Sequence, residues 1–328
     1  MSDLPDTASR LPSPWGLGVV AFLRTHTIVA LLLLLAVFIV AIEISRPGTV
    51  NPNWASNIVM FAAPLGIMAA GQTMVMLTGG IDLSIASVAT SSAYLMATHT
   101  AFGGSPAVLI GLAVGLAVGA INGVGIALLG VQPLIMTLGT GLMTEGALVV
   151  YSQTRIGDGP HVPQFIDALG AGKVLEVIPN DLFLWALIAI ATIVVLRSTG
   201  YGRLLYAIGD NGEACRLAGI RVWRVLFANY LICGLLAAAA GLVMAGSVGF
   251  ADLSLADVFL LPSIAAAIIG GTSIFGGRGG YSGTIIGALI LTLLNSILTL
   301  LDATEPVRQI LYGAIILLLG AAYTRIIG

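Results

Sequence analysis

The run VMLTGGIDLSIAS, Val75–Ser87, decides how this chain must be read. An apolar stretch that would suit a membrane helix meets Gly79 and Gly80, then a carboxylate at Asp82, and turns apolar again past Met96. Hydrocarbon satisfies no backbone polar group, so a break here must be buried in protein or line a wet cavity. Gly79 and Gly80 are read as ending one helix. Asp82 is read as capping the next, accepting from the N–H of Ser84 or Ile85 and facing the positive helix end. Direct contact with a passing solute is compatible with that role.

The rest of the chain fixes the solvent. Of 328 residues, 58% are hydrophobic and 9% charged, with a mean hydropathy of +1.05, which is too apolar for a soluble fold of this length. A membrane span needs roughly 20 apolar residues. Such runs lie at Thr27–Ser45, Trp54–Leu77, Leu83–Thr98, Ala107–Leu129, Leu134–Tyr151, Asp181–Leu196, Val225–Val248, Val258–Ile274, Ser282–Leu301 and Val307–Ala322. The expectation is an all-α polytopic bundle of about ten spans, one permease-like domain over residues 1–328.

Orientation follows from the basic residues. Arg10, Arg24, Arg197, Arg203, Arg216, Arg221, Arg224, Arg278 and Arg325 fall on one face of a ten-span chain, and Arg46, Arg155, Lys173 and Arg308 on the other. The positive-inside rule assigns the first face to the cytoplasm, with both termini, a tail at 1–26 and a loop at 198–224. The opening MSDLPDTASRLPSPWGLGVVAFLR is polar, and the Leu31–Val40 core lacks a small-residue cleavage site, so an uncleaved first span is expected.

Several function classes drop out. Cys215 and Cys233 are the only cysteines, one in the predicted loop and one in a span, which supports neither a disulfide nor a metal site. A net charge of −2 implies no nucleic-acid partner. Glu43, Asp82 and Glu145 are scattered, and His26, His99 and His161 sit near span ends or in a loop, so no catalytic set or cofactor motif forms. GAGKV at Gly170–Val174 fails as a phosphate loop, because Asp167 stands where the first glycine belongs and Val174 where Ser or Thr is required. An ATP-driven process would therefore need a separate ATPase. A secondary carrier or facilitator for a small polar solute is the alternative, with Asp82 and Glu145 as its ionisable groups; Glu43 is explained by snorkelling.

Glycines recur every fourth residue at Gly111, Gly115, Gly119 and Gly123, and again at Gly279, Gly283 and Gly287, leaving smooth helix faces for close packing. LTGGIDLS at Leu77–Ser84 and IIGGTSIF at Ile268–Phe275 echo each other, a faint internal repeat. In the polar segment RSTGYGRLLYAIGDNGEACRLAGIRVWR, Arg197–Arg224, a short helix is expected to start at Asp210 or Asn211 and stop at Gly219. It is read as a docking surface for a cytoplasmic partner rather than a plain connector.

Four segments, GGIDLSIAS at Gly79–Ser87, INGVGIALLGVQPLIMTLGT at Ile121–Thr140, GRLLYAIGDNGEACRLAGI at Gly202–Ile220 and IIGGTSIFGGRGGYSGTIIGALI at Ile268–Ile290, resemble the permease subunits of ribose-type monosaccharide ABC importers. That branch includes ribose, xylose, arabinose, galactofuranose and autoinducer-2 systems. The resemblance implies an inner-membrane permease that forms its pathway with a second permease chain, identical or related. It also implies a cytoplasmic ATP-binding subunit and an extracytoplasmic sugar-binding protein as partners. On that likeness Asn211, Gly212, Glu213, Arg216 and Gly219 would contact the ATPase, and Asp82, Ser84, Asn122, Gln132 and Thr137 would face the pathway or form its gate. The chain departs from the family pattern at Ala86, at Glu145, where an Arg is common, and at Leu260-Leu261-Pro262, where relatives carry two acids near the outer mouth.

Overall fold

The computed structural model describes residues 27–154 and 161–327. Expectations resting on the tail at 1–26, on Arg10, Arg24 and Arg155, and on the side chain of Arg325 lie outside the described residues. Within them the regular structure is helical apart from one hairpin of two-residue strands, β1 (Lys173–Val174) and β2 (Ile178–Pro179).

Helix α1 (Thr27–Ser45) shows an apolar outer face of Leu32, Leu33, Val37, Val40 and Ile44. Near its end Glu43 does more than snorkel: its carboxylate accepts the N–H groups of Gly48 (2.7 Å) and Val50 (2.9 Å), fixing the turn into the next helix. Asn51 then caps α2 (Pro52–Leu77), its Oδ1 accepting the Trp54 N–H at 3.0 Å. Helix α2 and α9 (Val222–Val248) form the centre of the bundle, burying Ile67, Met68, Val75, Tyr230, Cys233 and Val243.

Around them stand α3 (Ile85–Thr98), α4 (Gly104–Ala127), α5 (Pro133–Gln153), the short α6 (Gln164–Gly170) and α7 (Asp181–Ser198). They are followed by α8 (Gly200–Leu217), α10 (Leu260–Ile269), α11 (Tyr281–Leu300) and α12 (Glu305–Ile327). Both glycine rows serve packing. A Cβ on Gly119 would stand 2.6 Å from the Tyr230 carbonyl oxygen and one on Gly123 3.0 Å from that of Phe227, so α4 meets α9 backbone to backbone. Gly283 and Gly287 press in the same way on the carbonyls of Gly270, which caps α10, and of Ala266 within it.

Among the described residues seven helices are long and apolar enough to cross a membrane: α1, α2, α4, α5, α7, α9 and α11. The segments expected as spans at Leu83–Thr98 and Val258–Ile274 are shorter. Helix α3 has 14 residues and α10 has 10, the latter entered through a 3-10 turn at Asp257–Phe259. At about 1.5 Å per residue these cover only about 21 and 15 Å. Both are packed within the bundle and both abut a glycine break, so neither needs to reach lipid at each end.

The two ends of the bundle are legible in its contacts. The Leu77 carbonyl, at the end of α2, accepts the Gly277 N–H at 3.0 Å. Asn57, about 20 residues and about 30 Å back along the same helix, accepts from Lys173 Nζ at 3.2 Å. Arg197 donates to Ser282 at the start of α11 (3.2 Å), whereas Arg308 donates to Asn295 near its finish (2.7 Å). Arg46 lies by Leu300 and Leu301 at that same finish. Arg197, Arg203, Arg216, Arg221, Arg224 and Arg278 thus gather at the end where α8 lies, and Arg46, Lys173 and Arg308 at the other.

Candidate functional site

The break after α2 opens at Gly79, whose φ of +78° is a conformation that favours glycine. The N–H groups of Thr78, Gly79 and Gly80 turn back onto the Val75, Met76 and Val75 carbonyls at 3.1, 2.9 and 3.2 Å, closing the helix end without water. Gly80 lies against the Tyr230 hydroxyl, leaving no room for a side chain.

Asp82 is 1% exposed. Its Oδ1 accepts both the backbone N–H of Ser84 (2.8 Å) and the Ser84 hydroxyl (2.6 Å). The expected partner Ser84 is found and Ile85 is not used. Ser84 itself holds the cap position of α3 with helical backbone and no side-chain cap, so Asp82 braces the turn ahead of the helix rather than its first free N–H. Among the described residues no basic side chain pairs with this carboxylate.

From Ser84 the bonds run outward. Asn122 of α4 donates through Nδ2 to Ser84 Oγ (2.9 Å), and the Thr140 hydroxyl of α5 donates to Asn122 Oδ1 (2.6 Å). Thr137, one turn earlier, accepts the Leu83 N–H (3.0 Å) while its hydroxyl faces the Ile81 (3.1 Å) and Pro133 (2.9 Å) carbonyls. Four of the five polar residues assigned to the pathway by likeness, Asp82, Ser84, Asn122 and Thr137, therefore sit together in one buried network that pins the break to α4 and α5. Gln132 is not brought into it; it is exposed ahead of α5 and makes no side-chain cap bond.

The network ends at a cavity. A space of about 390 Å³ opens between α3, α4 and α5, lined among others by Ser91, Val118, Thr140, Met143, Thr144 and Tyr151. That volume falls in the range of small-ligand sites. Thr140 belongs to both cavity and network, a junction the sequence reading passed over because nothing in LGTGLMT separates it from Thr137 and Thr144.

The second feature is α8, which is longer than the expected short helix and kinked at Asn211 (φ −155°, ψ 92°). Thr199 caps its start by accepting the Gly202 N–H at 3.1 Å. Beyond the kink Asn211 Oδ1 caps the last turns, accepting the Ala214 N–H at 2.9 Å, so the start expected at Asp210 or Asn211 is a new start within one element. Gly219, at φ +81°, ends it. Cys215 anchors this short arm inward, while Glu213 and Arg216 pair at 2.9 Å on its open side, each about two-thirds exposed. Beside them stands Leu217, 83% exposed, which the sequence reading missed although an apolar residue in so polar a segment is a signal. Before the kink Tyr206 donates to the Gly279 carbonyl at 2.9 Å. Burial pushes its hydroxyl upward in pKa, against the pull of Arg197, so it stays a protonated donor at neutral pH.

Among the described residues no cluster of His, Cys, Asp or Glu forms a metal site, and both cysteines are free and buried.

Residues 54–320 match the family described as branched-chain amino acid transport system / permease component. The chain is 35% identical over 301 residues to the ribose import permease protein RbsC of Escherichia coli (strain K12), covering 90% of this chain and 92% of that one. It is 31% identical over 312 residues to the fructose import permease protein FrcC of Rhizobium meliloti (90% and 85% covered). It is 32% identical over 290 residues to the autoinducer 2 import system permease protein LsrC of Yersinia enterocolitica (88% and 79%). No solved structure matches the chain.

Proposed function

The chain belongs to the branched-chain amino acid transport system / permease component family, and from that membership we propose that it is the membrane-embedded half of an ATP-driven importer for a monosaccharide or similar small polyhydroxylated solute. It works in the cell's inner (plasma) membrane as one permease domain. The names of its relatives, import permeases for ribose, fructose and autoinducer 2, support the solute class.

The proposed topology has ten crossings. To the seven long apolar helices are added α3 with its break, α10 with its break, and α12. An even number returns both termini to one side, and the six arginines at the α8 end support calling that side cytoplasmic.

The observation that carries the reading is the contrast between two lightly covered helices. The open face of α1 is apolar from Leu32 to Ile44 and suits lipid. The open surface of α5 is also largely aliphatic, with Ile135, Leu142, Met143 and Val150 exposed, but unlike α1 it carries an exposed acid, Glu145, together with Gly139 and Gly146, and a Cβ added at either glycine would meet nothing within 4 Å. A carboxylate on a membrane helix does not face hydrocarbon, so α5 fronts a second permease chain and the wet path between the two. The solute passes by Thr140 and the cavity, with Asp82, Ser84, Asn122 and Thr137 setting the gate behind it and Gln132 at its inner mouth. Selectivity is left to an extracytoplasmic binding protein, because a pathway that held its solute tightly would release it slowly.

On the cytoplasmic side Asn211, Gly212, Glu213, Arg216, Gly219 and the exposed Leu217 form the face that enters a groove of the ATP-binding subunit. The test is gentle purification of the tagged chain from its native membrane with mass spectrometry of what accompanies it. An ATPase bearing a phosphate loop is the expected companion. The chain arriving alone, and transporting without ATP after reconstitution, would replace this reading with a secondary carrier centred on Asp82 and Glu145.

A further inference from the structure

Three segments meet beneath the bundle: the end of α2, the loop Gly270–Gly280 between α10 and α11, and α8 just before its kink. They meet through backbone. At Gly209 of α8 an added Cβ would collide with the Leu77 carbonyl oxygen and stand 2.5 Å from the Gly277 nitrogen. Gly276, at φ +91°, lies so close that a Cβ there would be 2.9 Å from both the Gly209 oxygen and the Gly79 nitrogen. A Cβ on Gly277 would be 3.3 Å from the nitrogen and Cα of Asp210, and one on Gly79 would be 3.4 Å from the Phe275 oxygen. Two hydrogen bonds close the ring, Gly277 N–H to the Leu77 oxygen (3.0 Å) and the Tyr206 hydroxyl to the Gly279 oxygen (2.9 Å).

We propose that Gly209 is a positioning residue: it locks α8 to both glycine breaks at once, so that displacement of the Asn211–Gly219 arm reaches the Asp82 break and the Gly270–Gly280 loop as one rigid body. This rests on the proposed role of the arm as the ATPase contact. The reasoning is mechanical. Side chains in contact can change rotamer and absorb a push, whereas backbone atoms already at contact distance cannot, and packed interfaces shift between discrete arrangements rather than deform smoothly. The kink at Asn211 does not make the arm slack. Asn211 Oδ1 holds the Ala214 N–H, the Cys215 carbonyl accepts the Ile220 N–H at 3.0 Å, and Leu205, Ile208 and Cys215 are buried in one cluster with Leu77 and Tyr281. The arm, the α8 shaft and the end of α2 thus share a single core. Gly200, on the same helix, has only the far end of Arg203 within 4 Å, and Gly202 is crowded by the Val195 and Leu196 carbonyls of α7, so on α8 the glycine crowded against the two breaks is Gly209.

The experiment reads the cavity while the other end is driven. The permease carrying Ala147→Cys, a cavity-lining position on α5, is assembled with its ATPase in nanodiscs and labelled with a membrane-impermeant maleimide. Labelling is done with no nucleotide and after trapping with ATP and vanadate; the native cysteines are buried. The parent must hold its ATPase and change labelling rate on trapping by at least about fivefold; if it does not, the importer reading fails, not this inference. Gly209→Ala is expected to keep the ATPase bound and hydrolysing while the trapping response falls below about twofold. Gly200→Ala is expected to keep the full response. A full response in Gly209→Ala overturns the proposal. A second variant serves if Gly209→Ala does not fold. The Cβ positions of residues 210 and 277 are 3.5 Å apart, close enough for a disulfide, so Asp210→Cys with Gly277→Cys is oxidised and assayed before and after reduction. A rigid body keeps its trapping response when cross-linked. A response that disappears on oxidation and returns on reduction, or a cross-link that does not form, overturns the proposal.

Discussion

Leu217→Ala separates docking from folding more sharply than any other change on the α8 arm. Its side chain is 83% exposed in the isolated chain, so truncation removes almost no internal packing, and exposed substitutions of this kind change stability by about 0.5 kcal/mol or less. The same side chain would be covered if the arm enters an ATPase groove. Leucine to alanine removes three carbons, and at about 0.8 kcal/mol for each fully buried methylene-sized group the loss is about 2.4 kcal/mol. At about 1.4 kcal/mol per decade that is about a 50-fold weaker association for a fully buried side chain, and less where the groove covers it only in part. The assay is the dissociation constant of purified ATPase for the chain in nanodiscs, with thermal unfolding of the chain measured in parallel. A roughly 10- to 50-fold loss of affinity with an unchanged unfolding temperature is expected, on the order set by that burial. Leu217→Met, close in volume, should lose less than about threefold. An affinity for Leu217→Ala within about twofold of the parent would refute the argument, because a leucine buried at the interface cannot be truncated so cheaply.

Three further outcomes follow from the packing. Asn122→Ala leaves the Thr140 hydroxyl with only the Met136 and Thr137 carbonyls, at 3.1 and 3.2 Å, and empties a fully buried site. It should destabilise the chain by about 1–3 kcal/mol, read as a lower unfolding temperature in detergent, and no change would show that the network contributes nothing to the fold. Gly119→Leu drives a side chain into the Tyr230 carbonyl and Leu231 Cα of α9 and should abolish recovery of folded chain. Gly146→Ala, with open space around it, should be tolerated or gain up to about 1 kcal/mol, since alanine is the better helix former.

Much of this architecture was legible because membrane helices announce themselves by length and composition. The ends of α1 and α2 fall within two residues of the expected spans. The lengths of α3 and α10 were not legible. Apolarity runs continuously through Leu83, Ser84 and Ile85, and only the three-dimensional position of the Gly79–Gly80 break tells which of those residues turn and which are helical. The glycine rows gave their packing role but not their partners, because a smooth face is complementary to any other smooth face. The likeness named Asp82, Ser84, Asn122, Gln132 and Thr137 as pathway-facing or gate-forming positions, and the structure joins the first three and Thr137 in one network. That they are satisfied by one another rather than open to a pathway depends on hydrogen-bond geometry no spacing encodes, and Gln132, of the same chemical kind, falls outside. Leu217 was hidden by the opposite habit of reading, in which charged residues of a polar loop draw attention and the lone aliphatic one does not.

If the cavity is the proposed sugar pathway, the arrangement around Asp82 also bears on why a buried acid should stand behind it, out of reach of the sugar. A carboxylate facing the cavity would attract cations and hold a polyol by strong charge-assisted bonds, and both would slow release. Here Ser84, Asn122 and Thr140 stand between the acid and the cavity, each donating one hydrogen inward in series. Because every donor in that series points toward Asp82, what reaches the cavity is the Thr140 oxygen with its hydrogen already committed, a neutral acceptor. Thr144, next along the wall, likewise commits its hydrogen to the Thr140 carbonyl at 2.7 Å. A polyhydroxylated solute can donate to these oxygens one at a time, at the modest net strength of neutral hydrogen bonds, about 0.5–1.5 kcal/mol each. The acid thus sets the direction of the bonds without presenting its charge. The same orientation ties α3, α4 and α5 to the break, so on the proposed pathway the groups that hold the gate together would be the groups that keep the passage weakly binding.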